Sequence, residues 1–168
     1  IPWIRTGELR DSSITKSEIT VTEKAISETS LKLLPKGTLL VAMYGQGQTR
    51  GRSGILNMSG TINQACFAIL PNPRRYSSKY LQFWFRYSYQ QLRDISDDRG
   101  GSQPNLNGKI LGELDVPVPS IETQIRIESE LSERFAAASL AEASIQQELA
   151  TIEAMPASLL RKAFSGEL

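Results

Sequence analysis

The residues best suited to chemistry in this 168-residue chain are gathered in Gly45-Gln46-Gly47-Gln48-Thr49-Arg50-Gly51-Arg52-Ser53-Gly54. Glycine lets a backbone approach a ligand closely. Arginine pairs bidentately with phosphate or with the O6/N7 edge of guanine, and glutamine with the N6/N7 edge of adenine. Gln46, Gln48, Thr49, Arg50 and Arg52 are therefore candidate contacts to a nucleic acid, to its backbone or to its bases. The alternative is a hairpin loop with solvated charges, and composition alone does not separate the two. No Gly-Lys-Ser/Thr follows, so the spacing is not that of a nucleotide-binding P-loop. Two smaller groups have the same chemistry. Arg74, Arg75 and Lys79 stand where an aromatic helix begins, to hold phosphate or to be a solvated helix start. Ser102, Gln103 and Asn105 lie on the glycine-rich stretch 99–107, where they can touch bases and sugar–phosphate or cap the next helix.

Other chemistries are excluded by residue type. Histidine is absent, which removes the commonest metal ligand and the usual general base near neutral pH. The single cysteine, Cys66, excludes an internal disulfide, and its apolar run Ala65-Cys66-Phe67-Ala68-Ile69-Leu70 reads as buried core. There is no Asn-Pro-Pro-Tyr or Asp-Pro-Pro-Tyr, no Phe-x-Gly-x-Gly and no nuclease-like Asp…Glu-x-Lys set; Asp97-Asp98 reads as a loop charge pair. No catalytic residue, metal or cofactor is expected. No apolar run approaches the ~20 residues of a membrane span. The opening Ile1-Pro2-Trp3-Ile4-Arg5 is no signal peptide and reads like the inside of a domain, so a piece of a longer cytoplasmic chain is expected.

The elements that must position these residues divide at Val116-Pro117-Val118-Pro119-Ser120, where two prolines forbid a helix. Residues 1–118 hold 15 Lys/Arg against 10 Asp/Glu, and residues 119–168 hold 4 against 8. A basic globule joined to an acidic segment implies two kinds of partner. In the first part, strands are predicted at 3–5, 38–44, 55–58, 66–70 and 115–118. Helices are predicted at 22–29, 76–93 and 107–114. The aromatic set Tyr80, Phe83, Trp84, Phe85, Tyr87 and Tyr89 is either a stacking platform for unpaired bases or core, and its helical spacing favours core. Strands with segregated helices make an α+β domain.

After Ser120, a plausible N-cap with Glu122 in the first turn, there is no Gly or Pro until Pro156. Leu131, Phe135, Ala138, Ile145, Leu149 and Ile152 recur in a heptad-like seam, interrupted by Glu142. Such a seam needs a partner helix. Pro156 is expected to kink or end the helix, with a short second helix at 157–164.

The order of these motifs resembles the target-recognition domain of type I restriction–modification specificity subunits. The similar runs are Ile1 to Leu9; Leu34-Pro35-Lys36-Gly37-Thr38 before an apolar strand; Thr49-Arg50-Gly51; and Asn63-Gln64-Ala65-Cys66. They continue with Gly101-Ser102-Gln103-Pro104-Asn105-Leu106, Val116-Pro117-Val118-Pro119, Glu122 to Ile127, and the ending Leu159 to Leu168. The family commonly joins its helix with Pro-Pro-Leu-x-Glu-Gln-x-x-Ile, where this chain has Pro-Ser-Ile-Glu-Thr-Gln-Ile-Arg-Ile.

The resemblance implies an α+β fold: a mixed/antiparallel-sheet target-recognition domain (1–118) followed by a long coiled-coil-forming helix (119–168). It implies a non-catalytic subunit that binds double-stranded DNA and docks methyltransferase (modification) subunits, with translocase–nuclease restriction subunits completing the complex. The helix would pair with a second spacer helix, from the same subunit or from a homodimer partner. Its length would set half-site spacing at ~1.5 Å per residue. Two alternatives stand beside this: the recognition lobe of a larger single-chain restriction–methyltransferase enzyme, and a coiled-coil scaffold without DNA binding.

Overall fold

A computed structural model describes residues 1–45, 47–97 and 106–166. The chain divides into two compact units, Ile1–Glu128 and Ser129–Leu168. This boundary falls ten residues beyond the expected one at 118/119, because the first two turns of the long helix belong to the globule. Gln124, in those turns, is fully buried there.

The first unit is built around the apolar run Leu39-Leu40-Val41-Ala42, which forms strand β3 (Leu39–Ala42). An unalternating apolar run suits a strand covered on both faces, and all four residues are fully buried. Leu39 and Val41 face one core with Tyr80, Leu81, Phe85, Leu92, Leu106 and Ile110. Leu40 and Ala42 face the other, with Ile4, Leu9, Ile14, Leu34, Leu56 and Cys66. β3 is the hub of a four-stranded sheet in the order β2-β4-β3-β6, in which β2 is Ser12–Ile14, β4 is Ser53–Leu56 and β6 is Cys66–Ile69. β4 and β6 flank β3 antiparallel, and β2 adds parallel to β4. A second, two-stranded parallel sheet joins β1 (Trp3–Ile4) to β5 (Thr61–Ile62).

The helices are α1 (Glu23–Glu28), α2 (Ser78–Tyr87), α3 (Tyr89–Asp97), α4 (Gly108–Gly112) and α5 (Ile121–Ser165). Thr22, Ser77 and Asn107 cap α1, α2 and α4 through side-chain oxygens, as such residues do when they precede a helix. Ser120 does the same for α5, its Oγ accepting from the Thr123 N–H at 3.3 Å. The fold is thus α+β with a mixed sheet and a long terminal helix, as expected.

Several expected elements differ in detail. The single helix at 76–93 is two, broken at buried Ser88, whose N–H turns back to the Trp84 and Arg86 carbonyls. The break leaves Leu92 buried in the core and starts a new helix at Tyr89. The strand expected at 115–118 is not formed. Proline donates no N–H to a ladder, and this segment is tied down instead by Tyr80, whose hydroxyl donates to the Pro117 carbonyl at 2.8 Å. The strand expected at 55–58 lies two residues earlier, and β2 and β5 have no counterpart among the expectations. In the second unit α5 runs through Pro156 to Ser165, so no separate helix begins at Ala157. A proline removes one hydrogen bond, and Ala157, Leu159, Leu160, Arg161, Lys162 and Ala163 after it are strong helix formers.

Among the described residues no helix is long and apolar enough to cross a membrane. Cys66 is buried, and burial, helped by the charge of Glu8, pushes its thiol pKa up to about 12. Thiolate is the reactive form. The folded chain is therefore expected to resist alkylation at pH 8 and to label stoichiometrically in denaturant, read by intact mass. Rapid labelling of the folded chain would show that the β6 region opens readily.

Candidate nucleic-acid interface

The glycine-rich loop connects β3 to β4, two neighbouring antiparallel strands, so both of its ends are anchored in the core. Its path is fixed by positive-φ glycines: Gly45 at 144°, Gly47 at 58° and Gly51 at 85°. At Gly51 the turn is closed by the Arg52 N–H donating to the Thr49 carbonyl at 3.0 Å. A side chain there would be strained in backbone and would crowd the Tyr89 ring at 3.3 Å.

That turn treats the two loop arginines differently. Arg50 is buried, 5 % exposed, so its guanidinium lies inside the globule and is not offered at the surface. Arg52 lies at the surface with its guanidinium held from three sides. Nη1 donates to Asp11 Oδ2 at 2.5 Å, and Nη2 donates to Gln48 Oε1 at 3.2 Å. The guanidinium also sits over the Tyr89 ring, 5.0 Å from its centre. The hydrogen bond that Arg52 donates to Asp11 raises its pKa, with burial opposing it, so the group stays cationic.

Asp11 is the anchor of this arrangement. It sits at φ 55°, a backbone region that Asp enters more readily than most residues. Its Oδ1 accepts from the Ser53 N–H at 2.9 Å and from Ser53 Oγ at 3.0 Å, and Ser53 is fully buried. One carboxylate thus anchors the first residue of strand β4 and orients Arg52.

The far side of the loop is held by α3. The Tyr89 hydroxyl donates to the Gln48 carbonyl at 2.7 Å, and Arg93 Nη1 donates to the Gly47 carbonyl at 2.9 Å. Arg93 also lies 5.6 Å from the centre of the Tyr89 ring. Tyr89 and Arg93 are one helical turn apart, the i,i+4 spacing that places two side chains together. Asp11 and Arg93 are not among the expected site residues, and Tyr89 figures there only in the aromatic set. The Tyr89/Arg93 spacing was visible in the sequence, whereas nothing local marks Asp11.

Gln48, Thr49 and Arg52 therefore come together on one surface, with Gln48 exposed and Thr49 half-buried. Arg74, Arg75 and Lys79 do not join them. They are exposed near the start of α2, where Ser78 Oγ donates to the Gly37 carbonyl at the opposite end of β3. The ten residues of α2 separate the two groups by roughly 15 Å. Gln46, Ser102, Gln103 and Asn105 lie outside the described residues. Leu106, which follows them, donates its N–H to the Met43 carbonyl at 3.0 Å, at the loop end of the sheet. The aromatic set is split: Tyr80 and Phe85 are core, Phe83 and Trp84 half-buried, Tyr87 87 % exposed, and Tyr89 serves the loop.

On α5 the seam residues Phe135, Ile145, Leu149 and Ile152 are exposed large hydrophobics; Ala138 is exposed and Leu131 half-buried. Because the helix continues past Pro156, exposed Leu159 extends the seam, one heptad beyond Ile152.

Comparison with known proteins bears on the family and the fold. Residues 1–151 match the family described as type I restriction modification DNA specificity domain. The type I restriction enzyme MjaIX specificity subunit of Methanocaldococcus jannaschii is 35 % identical over 137 residues, covering 79 % of this chain and 30 % of that protein. The EcoBI specificity subunit of Escherichia coli is 28 % identical over 171 residues, covering 100 % and 35 %. The chain thus spans about a third of the length of these relatives. A chain from a structure on complex assembly and conformational transition of the type I R-M system superposes with a TM-score of 0.70 at 20 % identity, over 99 % of this chain and 39 % of that one. The HsdS subunit from Thermoanaerobacter tengcongensis does so with a TM-score of 0.60 at 18 % identity, over 84 % and 32 %.

Proposed function

Because the chain belongs to the type I restriction–modification DNA specificity family, we propose that it is the sequence-reading half of a specificity subunit. It reads duplex DNA with the β3–β4 loop and carries no catalytic group of its own. Its long helix supplies one strand of the spacer that docks methyltransferase subunits, and the assembled complex adds the restriction subunits. The observation that carries the reading is the anchored loop: Arg52, Gln48 and Thr49 share a surface, with the guanidinium oriented by Asp11 and Tyr89. A guanidinium held in this way loses little freedom when it meets the edge of a base. The exposed heptad seam of α5 supports the pairing of the helix.

The test is selection of the full chain against a randomised duplex pool at two salt concentrations. A short motif should be enriched. Arg52→Ala should weaken binding to that motif by about 1–3 kcal/mol and relax preference at one position. A pool that shows no enrichment, or an Arg52→Ala chain with unchanged preference, would overturn the loop as the reader.

A further inference from the structure

We propose that Arg10 and Lys16 form a phosphate track beside the reading loop, holding the DNA sugar–phosphate backbone without reading sequence. The inference rests on the DNA-binding reading above and adds a second surface to it.

Two grooves open on this side of the globule and share Arg10. One, of about 310 Å³, is lined by Arg10 together with the loop residues Gln48, Thr49 and Arg52. The other, of about 400 Å³, is lined by Arg10, Ser13, Thr15 and Lys16 and also by Glu8 and Glu18. The second groove therefore continues the reading surface away from the loop. The continuity has a backbone cause. The Asp11 N–H donates to the Ser53 carbonyl at 2.7 Å, and β2 pairs parallel with β4, so the segment 10–16 starts where the loop ends.

The charges along this segment are not balanced by its acids. Glu8 is held by backbone donors, Oε1 accepting from the Arg5 N–H at 2.9 Å and Oε2 from the Glu18 N–H at 3.1 Å, and it is the one acid here without a cationic partner among the described residues. Glu18 pairs with Arg5 Nη2 at 2.6 Å, and Asp11 is occupied by Arg52 and Ser53. Arg10 and Lys16 are exposed, and among the described residues neither has an acidic partner or a hydrogen bond. Two cations with no internal role thus line a groove that also carries the hydroxyls of Ser13 and Thr15, which are exposed. Lysine, arginine and hydroxyl donors are the groups that position a protein on phosphates. Six residues apart, Arg10 and Lys16 are separated by at most ~20 Å of chain, a reach of several phosphates along one strand.

Phosphate and base contacts differ in salt dependence. Each neutralised phosphate contributes about 0.9 to the slope of log affinity against log salt, whatever the sequence. The experiment compares the full chain with its Arg10→Gln/Lys16→Gln double variant. Both are titrated across a salt series with the duplex enriched in the selection and with a mixed-sequence duplex. The expected result is a slope shallower by about 1.8 on both duplexes, with an unchanged ratio of affinities between them. The charge-keeping variant Arg10→Lys/Lys16→Arg should retain the slope, and all chains should melt at the same temperature because both side chains are exposed. An unchanged slope in the Gln variant, with salt-dependent binding intact in the parent chain, would overturn the track and leave the loop reading standing. A changed preference between the two duplexes would overturn it too, by making these residues base readers. Absence of duplex binding by the parent chain would sink the DNA reading and the track together.

Discussion

Gln124→Ala should lower the stability of the globule by about 3 kcal/mol, a loss on the scale of a large core truncation. Gln124 is fully buried at the start of α5, and its amide is fully used. Oε1 accepts from the Ser77 N–H at 2.9 Å, while Nε2 donates to the Arg75 carbonyl at 3.2 Å and the Pro119 carbonyl at 2.8 Å. Ser77 caps α2, Pro119 belongs to the lead-in to α5, and Arg75 lies in the turn between β6 and α2. One side chain thus ties the turn before α2 to the lead-in of α5, two segments that carry no strand pairing to each other. Truncation leaves one N–H and two carbonyls without partners, at about 1–3 kcal/mol for a fully buried group and less for these part-buried ones. Water entering the vacated space recovers part of this, which places the total near the lower end of the sum. Gln124→Glu keeps the shape and the acceptor but sets a carboxylate oxygen against two carbonyls, so it should be at least as damaging at neutral pH. Urea unfolding of the full chain should show a lower midpoint with an unchanged slope. A loss below 1 kcal/mol for the alanine variant would mean that water replaces the amide and that the join to α5 is held by Ile127 and Val116 packing instead.

What the sequence discloses follows the range of the interactions involved. β3 was legible because four consecutive apolar residues leave no polar face. The start of α5 was legible because Ser120 caps it locally and no glycine or proline follows for many turns. β2 was not legible: Ser-Ser-Ile has no strand pattern, and it pairs with β4, which lies some forty residues later. The Val-Pro-Val-Pro segment shows the reverse error, since alternation imitates a strand while proline removes the donors a ladder needs. Within the loop the composition pointed to the right segment but could not rank its members. Arg50 and Arg52 are the same residue type two positions apart. A positive-φ turn at Gly51 puts one inside and one outside, and that turn is held by Tyr89 from another helix. Arg74 and Arg75 carry the same charge as the loop arginines, but that they stand toward the opposite end of β3 depends on how the helix after them packs, which the sequence does not state.

The same distance problem hides Asp11, and its two variants should separate what it does for the fold from what it does for recognition. Asp11→Ala strips the acceptor from the Ser53 N–H and hydroxyl, which are fully buried, and removes the partner of Arg52. A buried donor left bare and a broken, largely enclosed ion pair together should cost about 2–4 kcal/mol, discounted because the Arg52 side chain is 35 % exposed. Asp11→Asn is gentler. Asparagine accepts the positive φ as readily as aspartate and keeps an oxygen for Ser53, so stability should fall by only about 1 kcal/mol. What Asn cannot keep is the charge that fixes the Arg52 guanidinium. The globule gains one net positive charge and Arg52 gains freedom, so attraction to any duplex should hold or rise slightly while preference for the enriched duplex falls. The fall is bounded by the ~1–3 kcal/mol that a bidentate arginine contributes to base discrimination. A residue acting only as a structural clip would lower both affinities in step with stability. An unaltered preference ratio in a well-folded Asp11→Asn chain would show that Arg52 does not read a base from the geometry that Asp11 imposes. Reading would then belong to other loop side chains, of which Gln48 and Thr49 are on that surface among the described residues.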